Sequence, residues 1–349
     1  MKLLYLFLIL FPILTVHAQS QEINPEETKF SNSKIEFLKY EQEHGHYIQT
    51  ENVKMHYLSW GDPSGKPLIW VHGTYSNAYE FYSYADSLVN EGYFVIAIDF
   101  FGHGLTPIPE KPTTLYHVAD DIKFLLDFLQ IPKTVIGGWS RGGSIATAFY
   151  DAYPDYVLGI ILEDGGSVPW ATIDHRQSID SMTAKFTESF NEYATSINKE
   201  YDSQFEAVRE LSGLTITSRI YQSLAAVKQT SSAKWAENPG LANHLGESSI
   251  DDFLQLFYRP FGSNKSFGAS TVLLNPTTIY RNLTIPLLIL DPVSERDQFS
   301  FEEENRKLQS ENPAFITHKI YNDTSHALKF EKPHDFLRDI KLFLSTITY

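Results

Sequence analysis

The chain has 349 residues, 42% of them hydrophobic and 14% aromatic, which is enough apolar mass for a large core with an appended domain. Acidic residues number 43 against 28 lysines and arginines, a net charge of −15 that argues against nucleic acid or an anionic membrane surface as partner. The absence of cysteine excludes disulfides, thiol catalysis, thiolate metal sites and lipid attachment through a thiol.

Residues 1–18 have the layout of a signal peptide. Met1-Lys2 gives a basic start, Leu3 to Val16 is an apolar run too short for a comfortable membrane span, and Val16-His17-Ala18 supplies the small residues of a cleavage site. The expectation is cleavage near Ala18 and export to a periplasm or the medium, with no stable membrane insertion afterwards. An uncleaved anchor is the other outcome. Residues 19–45 are polar and are expected to form a loosely attached arm, with Ile35-Glu36-Phe37-Leu38 as a small docking patch.

The body begins at His46. His46 to Thr50 and Val53 to Trp60 alternate apolar and polar residues around Glu51-Asn52, which is a hairpin signal. Pro67 to Val71 and Tyr93 to Asp99 are continuous apolar runs of strand length, separated by a helical stretch near 78–90 that Gly92 closes. Val118, Ile122, Leu125, Leu126 and Leu129 mark an amphipathic helix over 115–130. Thr134 to Ile136 and Tyr156 to Leu162 read as two more buried strands. Strands apolar on both faces and alternating with helices predict an α/β fold with a mostly parallel central sheet, flanked by helices and presenting its site beyond the strands' C-terminal ends.

Between two of these strands, Gly138-Trp139-Ser140-Arg141-Gly142 leads from a β-branched run into a helix beginning at Ser144. Strand, tight turn and helix in that order are what a nucleophile elbow needs. Glycines on either side allow a close approach, and the serine hydroxyl stands at the sheet's end above a helix N-terminus that favours negative charge. The pattern alone is common and also fits a glycine-rich turn with a surface serine.

Beyond Leu162 the strand pattern lapses for about 120 residues. Helical periodicity takes its place (Phe186, Phe190, Tyr193 and Ile197; Phe205, Val208 and Leu211), followed by the aromatic stretch Phe253 to Phe261. Strands return at Pro286 to Leu290 and Ala314 to Ile320. The loop Tyr321 to Leu328 and a helix after Pro333 complete the chain.

Taken together, His72-Gly73, Asp99 to Gly104, the Ser140 elbow and the His326 loop followed by Glu331-Lys332-Pro333 resemble the α/β-hydrolase fold family, over about Tyr47 to Leu344. The resemblance implies an α/β-hydrolase core at 46–165 and 280–349 with an inserted helical cap at 166–279. Ser140 would be the nucleophile and His326 the general base, in the family's chain order of serine, acid, histidine. His72 and His103 would be structural, and His334 solvated. The strand Pro286 to Leu290 should present the acid. No glycine follows it; Asp297, with Gln298 and Phe299 after it, looks most like the family's aspartate, Glu295 is the alternative, and Asp291 is a third candidate that sits where a turn cap would. The backbone N–H groups of Thr74 and Arg141 would form the oxyanion hole. The Arg141 side chain is expected to pair with Glu163 or Asp164.

No metal or cofactor constellation is visible; there is no His-Glu-x-x-His, phosphate loop or dinucleotide fingerprint. The expected partner is a small, largely apolar molecule, and the expected reaction is cleavage of an ester-like bond through an acyl-enzyme. Aminopeptidase, lactonase or carbon–carbon bond hydrolase chemistry would suit the same residues, as would a ligand-binding protein without turnover. Oligomeric state is not legible.

Overall fold

Strand β4 (Tyr93–Ile98) is buried at all six positions, as a strand covered on both faces must be. Its side chains alternate between two cores: Ile96 and Ile98 face one, Val95 and Ala97 the other. The same division holds in β3 (Lys66–Val71), with Ile69 and Val71 on one face and Leu68 and Trp70 on the other. The sequence therefore specifies a three-layer molecule with helices on each face of one sheet.

The computed structural model describes residues 24–74, 76–170, 172, 199–210, 226–228, 232–237, 267–297 and 299–349. The other strands of its main sheet are β1 (Gly45–Gln49), β2 (Lys54–Trp60), β5 (Thr134–Trp139), β6 (Val157–Glu163), β10 (Leu287–Val293) and β11 (Ile316–Asn322). The eight strands lie in the order β1-β2-β4-β3-β5-β6-β10-β11. The pairs β1·β2 and β2·β4 are antiparallel and every other pair is parallel, as expected. The β1–β2 hairpin closes as predicted, with Gln49 opposite Lys54 and the Thr50 hydroxyl accepting from the Val53 amide at 3.1 Å.

Helices α3 (Leu115–Phe128) and α4 (Arg141–Ala152) cover one face through Ile122, Leu125, Ile145 and Phe149. The other face is covered by α2 (Tyr82–Val89), through Leu88, and by the closing helix Pro333–Leu344, through Phe336, Ile340 and Leu344. Most of the expected cap lies outside the described residues, as does the expected signal segment. Within 166–279, helices α5 (Gln204–Glu210) and α6 (Phe267–Leu273) are described, together with a small antiparallel sheet of β7 (Glu200–Tyr201), β8 (Ala226–Lys228) and β9 (Trp235–Glu237), in which β9 is central. That sheet was not expected in a cap read as helical.

The expected polar arm is a helix. α1 spans Pro25–His44, started by Asn24, whose side chain accepts from the Glu26 amide, and by Pro25 in the first turn. It is docked along its length. Phe37 lies 5.4 Å from the Tyr79 ring, and Trp60 Nε1 donates to the Tyr40 hydroxyl at 2.5 Å. Glu41 accepts from the Tyr79 hydroxyl and lies 3.2 Å from Nε2 of the fully buried His56, whose Nδ1 meets Asp99 at 2.6 Å. At its other end, Phe30 packs 5.9 Å from Phe205 of α5 and Lys34 donates to Gln204 at 2.7 Å. The helix thus joins the sheet's body to a segment of the expected cap.

Burial opposes a charge on His56, yet Asp99 and Glu41 outweigh it and raise its pKa from 6.5 to about 9. Glu41→Ala is expected to lower stability by about 1–3 kcal/mol, because the Tyr79 hydroxyl and the His56 imidazolium lose their acceptor. A folded-state pKa above the unfolded one stabilises fully below pH 6.5, and that contribution disappears as pH rises through about 9. The urea midpoint should fall across this window more steeply in the wild type than in His56→Gln. Equal slopes would mean that His56 is uncharged in the fold.

Candidate active site

Ser140 sits at φ 55°, ψ −119°, between the last residue of β5 and the first of α4. This left-handed backbone is costly for a side-chain-bearing residue and persists only where its surroundings enforce it. The enforcement is close packing. A Cβ on Gly142 would lie 2.1 Å from the Val71 carbonyl oxygen, so α4 rests directly on the end of β3. A Cβ on Gly165 would lie 2.2 Å from the Ser140 carbonyl oxygen, so the loop after β6 rests directly on the elbow.

That second contact brings an unforeseen carboxylate to the site. β5 and β6 are neighbours with Trp139 opposite Glu163, and the Ser140 amide continues the ladder by donating to the Glu163 carbonyl at 2.9 Å. Asp164, the next residue on β6's side, therefore stands beside Ser140. Its Oδ2 lies 2.5 Å from Nδ1 of His326, with the aspartate side chain fully buried and the histidine 20% exposed. Asp164 itself has φ 42°, a second left-handed residue at the same edge.

The carboxylates expected in this role make other contacts. Asp297 accepts from the amides of Phe299 and Ser300, at 3.1 and 2.9 Å, in a turn of its own. Glu295 is exposed. Asp291, buried on β10, faces His318 of β11 at 2.7 Å. The loop after β10 has a different occupation. Ser294 Oγ donates to the Thr324 carbonyl at 2.7 Å, while Arg296 donates to the Asp323 carbonyl at 2.6 Å and to Glu331 at 2.9 Å. It fastens the His326 loop from outside.

His326 is also fixed from below, where Trp139 Nε1 donates to its carbonyl at 2.7 Å. The Phe299 ring stands edge-on to the imidazole at 4.5 Å, and Trp170 meets Phe299 edge-on at 5.0 Å. Burial, assisted by the Lys329 cation, lowers the His326 pKa to about 3, so the ring is neutral. Burial, with Asp297, Asp291 and Glu163 nearby, pushes Asp164 well above the usual carboxylate range. A neutral imidazole that gives Nδ1–H to Asp164 keeps its lone pair on Nε2, the state a general base requires.

Thr74 follows Gly73 off the end of β3, and Arg141 opens α4, where the first amides have no intrahelical acceptor. Since α4 packs on the end of β3, both backbone N–H groups belong to one corner of the sheet. The Arg141 side chain was expected on Glu163 or Asp164, but those take Lys329 and His326 as partners. His72 and His103 are fully buried and turn Nδ1 to the carbonyls of Gly73 and Phe101, at 2.7 and 2.9 Å. His334 is exposed. Asp99 accepts from the Ala78 and Leu105 amides at 2.6 and 2.9 Å, tying two loops beneath the site.

The sequence did hold a sign of Asp164. Glu163-Asp164-Gly165-Gly166 places a carboxylate at the C-terminal end of a buried strand, followed by glycines that permit contact with another backbone.

The known proteins that this chain resembles include hydrolases. The chain is 33% identical over 109 residues to a serine hydrolase-like protein of Danio rerio, a stretch covering 30% of this chain and 32% of that one. It is likewise 33% identical over 106 residues to an sn-1-specific diacylglycerol lipase of the same species, covering 30% and 33%. The matched stretch thus spans about a third of these relatives' length. An esterase of Exiguobacterium antarcticum shares the fold at a TM-score of 0.60 and 16% identity, covering 86% of this chain and 99% of the esterase. A family model for the alpha/beta hydrolase fold matches residues 66–333, and with that extent of match this chain belongs to the alpha/beta hydrolase fold family.

Proposed function

We propose that this protein is a serine hydrolase that cleaves an ester-like bond in a small, largely apolar substrate. The observation that carries the reading is the Asp164–His326 hydrogen bond, made one strand away from a serine held in elbow geometry. In this reading Ser140 Oγ attacks the substrate carbonyl while His326 Nε2 takes its proton. The tetrahedral oxyanion is met by the amides of Thr74 and Arg141, at the positive end of α4. Collapse expels the leaving group with the proton from His326, and water then cleaves the acyl-enzyme by the same path in reverse. Asp164 holds the tautomer and stabilises the imidazolium that forms. Phe299, beside the imidazole, and Trp170, packed on Phe299, would give the acyl or leaving group an apolar wall.

Hydrolysis of p-nitrophenyl esters of graded chain length tests the roles. Ser140→Ala is expected to abolish turnover, and Asp164→Asn to lower kcat by roughly 10³–10⁴, as loss of the orienting carboxylate does in serine triads. Asp297→Asn should stay within a few-fold of wild type; the reverse ranking would return the acid's role to the β10 loop. Should no ester be turned over, labelling of Ser140 by a fluorophosphonate would still mark an activated nucleophile, and its failure would favour a binding protein.

The pH profile gives a second check. Because a buried, neutral base loses activity only when it gains a proton, the acid limb of kcat/KM should lie below the ordinary 6.5. A limb at or above that value would mean that the imidazole is solvated when it acts.

The reading also takes residues 1–18 as a cleaved signal and the mature chain as exported. Intact-mass analysis of protein from the extracytoplasmic fraction is expected to show Gln19 as the first residue. A chain that keeps Met1 would instead be anchored by its apolar start.

A further inference from the structure

Beneath the site lies a charged cluster that the mechanism does not use. Lys329, three residues beyond His326, has a completely buried side chain. Its Nζ lies 3.3 Å from Glu163 Oε2 and 3.6 Å from Glu80 Oε1, and 3.5 Å from the centre of the Trp139 ring. Both carboxylates are buried as well.

Each partner leads to a different part of the site. Glu163 precedes Asp164; its carbonyl receives the Ser140 amide, and its Oε1 receives the Lys329 amide at 3.0 Å. Trp139 precedes Ser140 and donates to the His326 carbonyl. Glu80 accepts from Trp70 Nε1 at 2.8 Å and, at 3.4 Å, from the amide of Gly73, the residue before Thr74. Lys329 is itself on the histidine loop, and its carbonyl is held by the Tyr84 hydroxyl at 2.7 Å. One ammonium group therefore touches, at one remove, the nucleophile, the acid, the base and an oxyanion donor.

We infer that Lys329, with Glu163 and Glu80, is a positioning residue that sets the relative placement of the four loops. The inference rests on the reading of Ser140, Asp164 and His326 as a hydrolytic site. Two physical arguments support it. Buried ion clusters recover little more than their desolvation cost and can often be replaced by apolar side chains without loss of stability, so core packing alone gives no reason for a lysine here. A cation–π contact with Trp139, by contrast, is directional and fixes the ring on which the His326 loop rests. The cluster is also one positive charge short. Burial, with Glu80 adding to it and Lys329 opposing it, pushes Glu163 up to about 7, so the group exchanges a proton near neutrality.

Among the described residues, the charged and titratable groups around His326 are Asp164, which it meets, and Lys329 on its own side, with Asp297, Asp291 and Glu163 acting on Asp164. His72 and Glu80 border the cluster from the β3 side. Removing the cation leaves negative groups alone, so the histidine should gain a proton more readily. Lys329→Met is expected to lower kcat tenfold to a hundredfold with KM changed less than about threefold, and to move the acid limb of kcat/KM upward by about one pH unit. The double variant Lys329→Met/Glu163→Gln removes one charge of each sign and keeps the volume, leaving Glu80 with Trp70 Nε1 and the Gly73 amide. It should melt within a few degrees of wild type and still show the kcat loss. If the single variant does not fold, the double variant decides. A folded variant lacking Lys329 with wild-type kcat and an unmoved acid limb would overturn the inference. Fluorophosphonate labelling of wild-type Ser140 is run alongside; wild-type protein that neither labels nor turns over would instead bring down the hydrolytic reading on which it rests.

Discussion

The site depends on a contact between backbones. Ser140 keeps a left-handed conformation because α4 lies against the end of β3 and the loop after β6 lies against the elbow, with glycines at both contacts. Any side chain at Gly142 or Gly165 would force these backbones apart by more than an ångström, judged against ordinary van der Waals separation. The same contact decides placement. β5 and β6 are paired up to Trp139 and Glu163, so the residues just beyond them, Ser140 and Asp164, are neighbours whatever their side chains do. The loop from β11 then has to reach only one place to bring His326 to both.

Electrostatically the corner is overloaded with carboxylates. Burial raises the cost of a charge on Asp164, to which Asp297, Asp291 and Glu163 add, and burial with Glu80 does the same for Glu163. Several devices contain that cost. Asp291 meets His318, Asp297 takes two backbone amides, Glu163 shares Lys329 with Glu80, and Asp164 has the imidazole. Such a distribution leaves His326 as a neutral imidazole beside buried carboxylates whose own charge is costly. Its low proton affinity comes from burial first and from the lysine second.

Much of this was legible in the sequence. Periodicity alone locates the parallel strands and their covering helices, because a strand buried on both faces shows as an unbroken apolar run. The elbow is legible because its glycines lie two residues either side of the serine, and the histidine because its loop follows the last strand. The carboxylate that meets His326 is not one of those expected after β10, and the reason is topological. Which strand lies next to β5 is a property of sheet order, and a carboxylate can stand at the end of more than one later strand, β6 and β10 among them. The polar run after β10 drew attention to itself, yet its residues bind the histidine loop's backbone. Helix α1 was missed for another reason. Its inward-facing positions are Phe30, Ser33, Phe37, Tyr40, Glu41 and His44, half of them polar, so no apolar stripe appears. Where a helix docks through hydrogen bonds to buried groups, hydrophobic periodicity does not register it.

That docking ties the first described helix to the chemistry by a short path. Glu41 meets His56, His56 meets Asp99, and Asp99 holds the amides of Ala78 and Leu105, the two loops that flank Gly73 and Glu80. Glu80 in turn meets Lys329, and the opposite end of α1 touches Phe205 and Gln204. A perturbation of the helix therefore acts on two things together: the loop that carries Thr74 and the segment that joins the expected cap. An apolar contact of one phenylalanine with another is worth little more than about 1 kcal/mol beyond its buried area, so the cap-side attachment is the weaker one. At the other end, withdrawing Glu41 would take an acceptor inside the fold from His56 Nε2 and from the Tyr79 hydroxyl, which costs more.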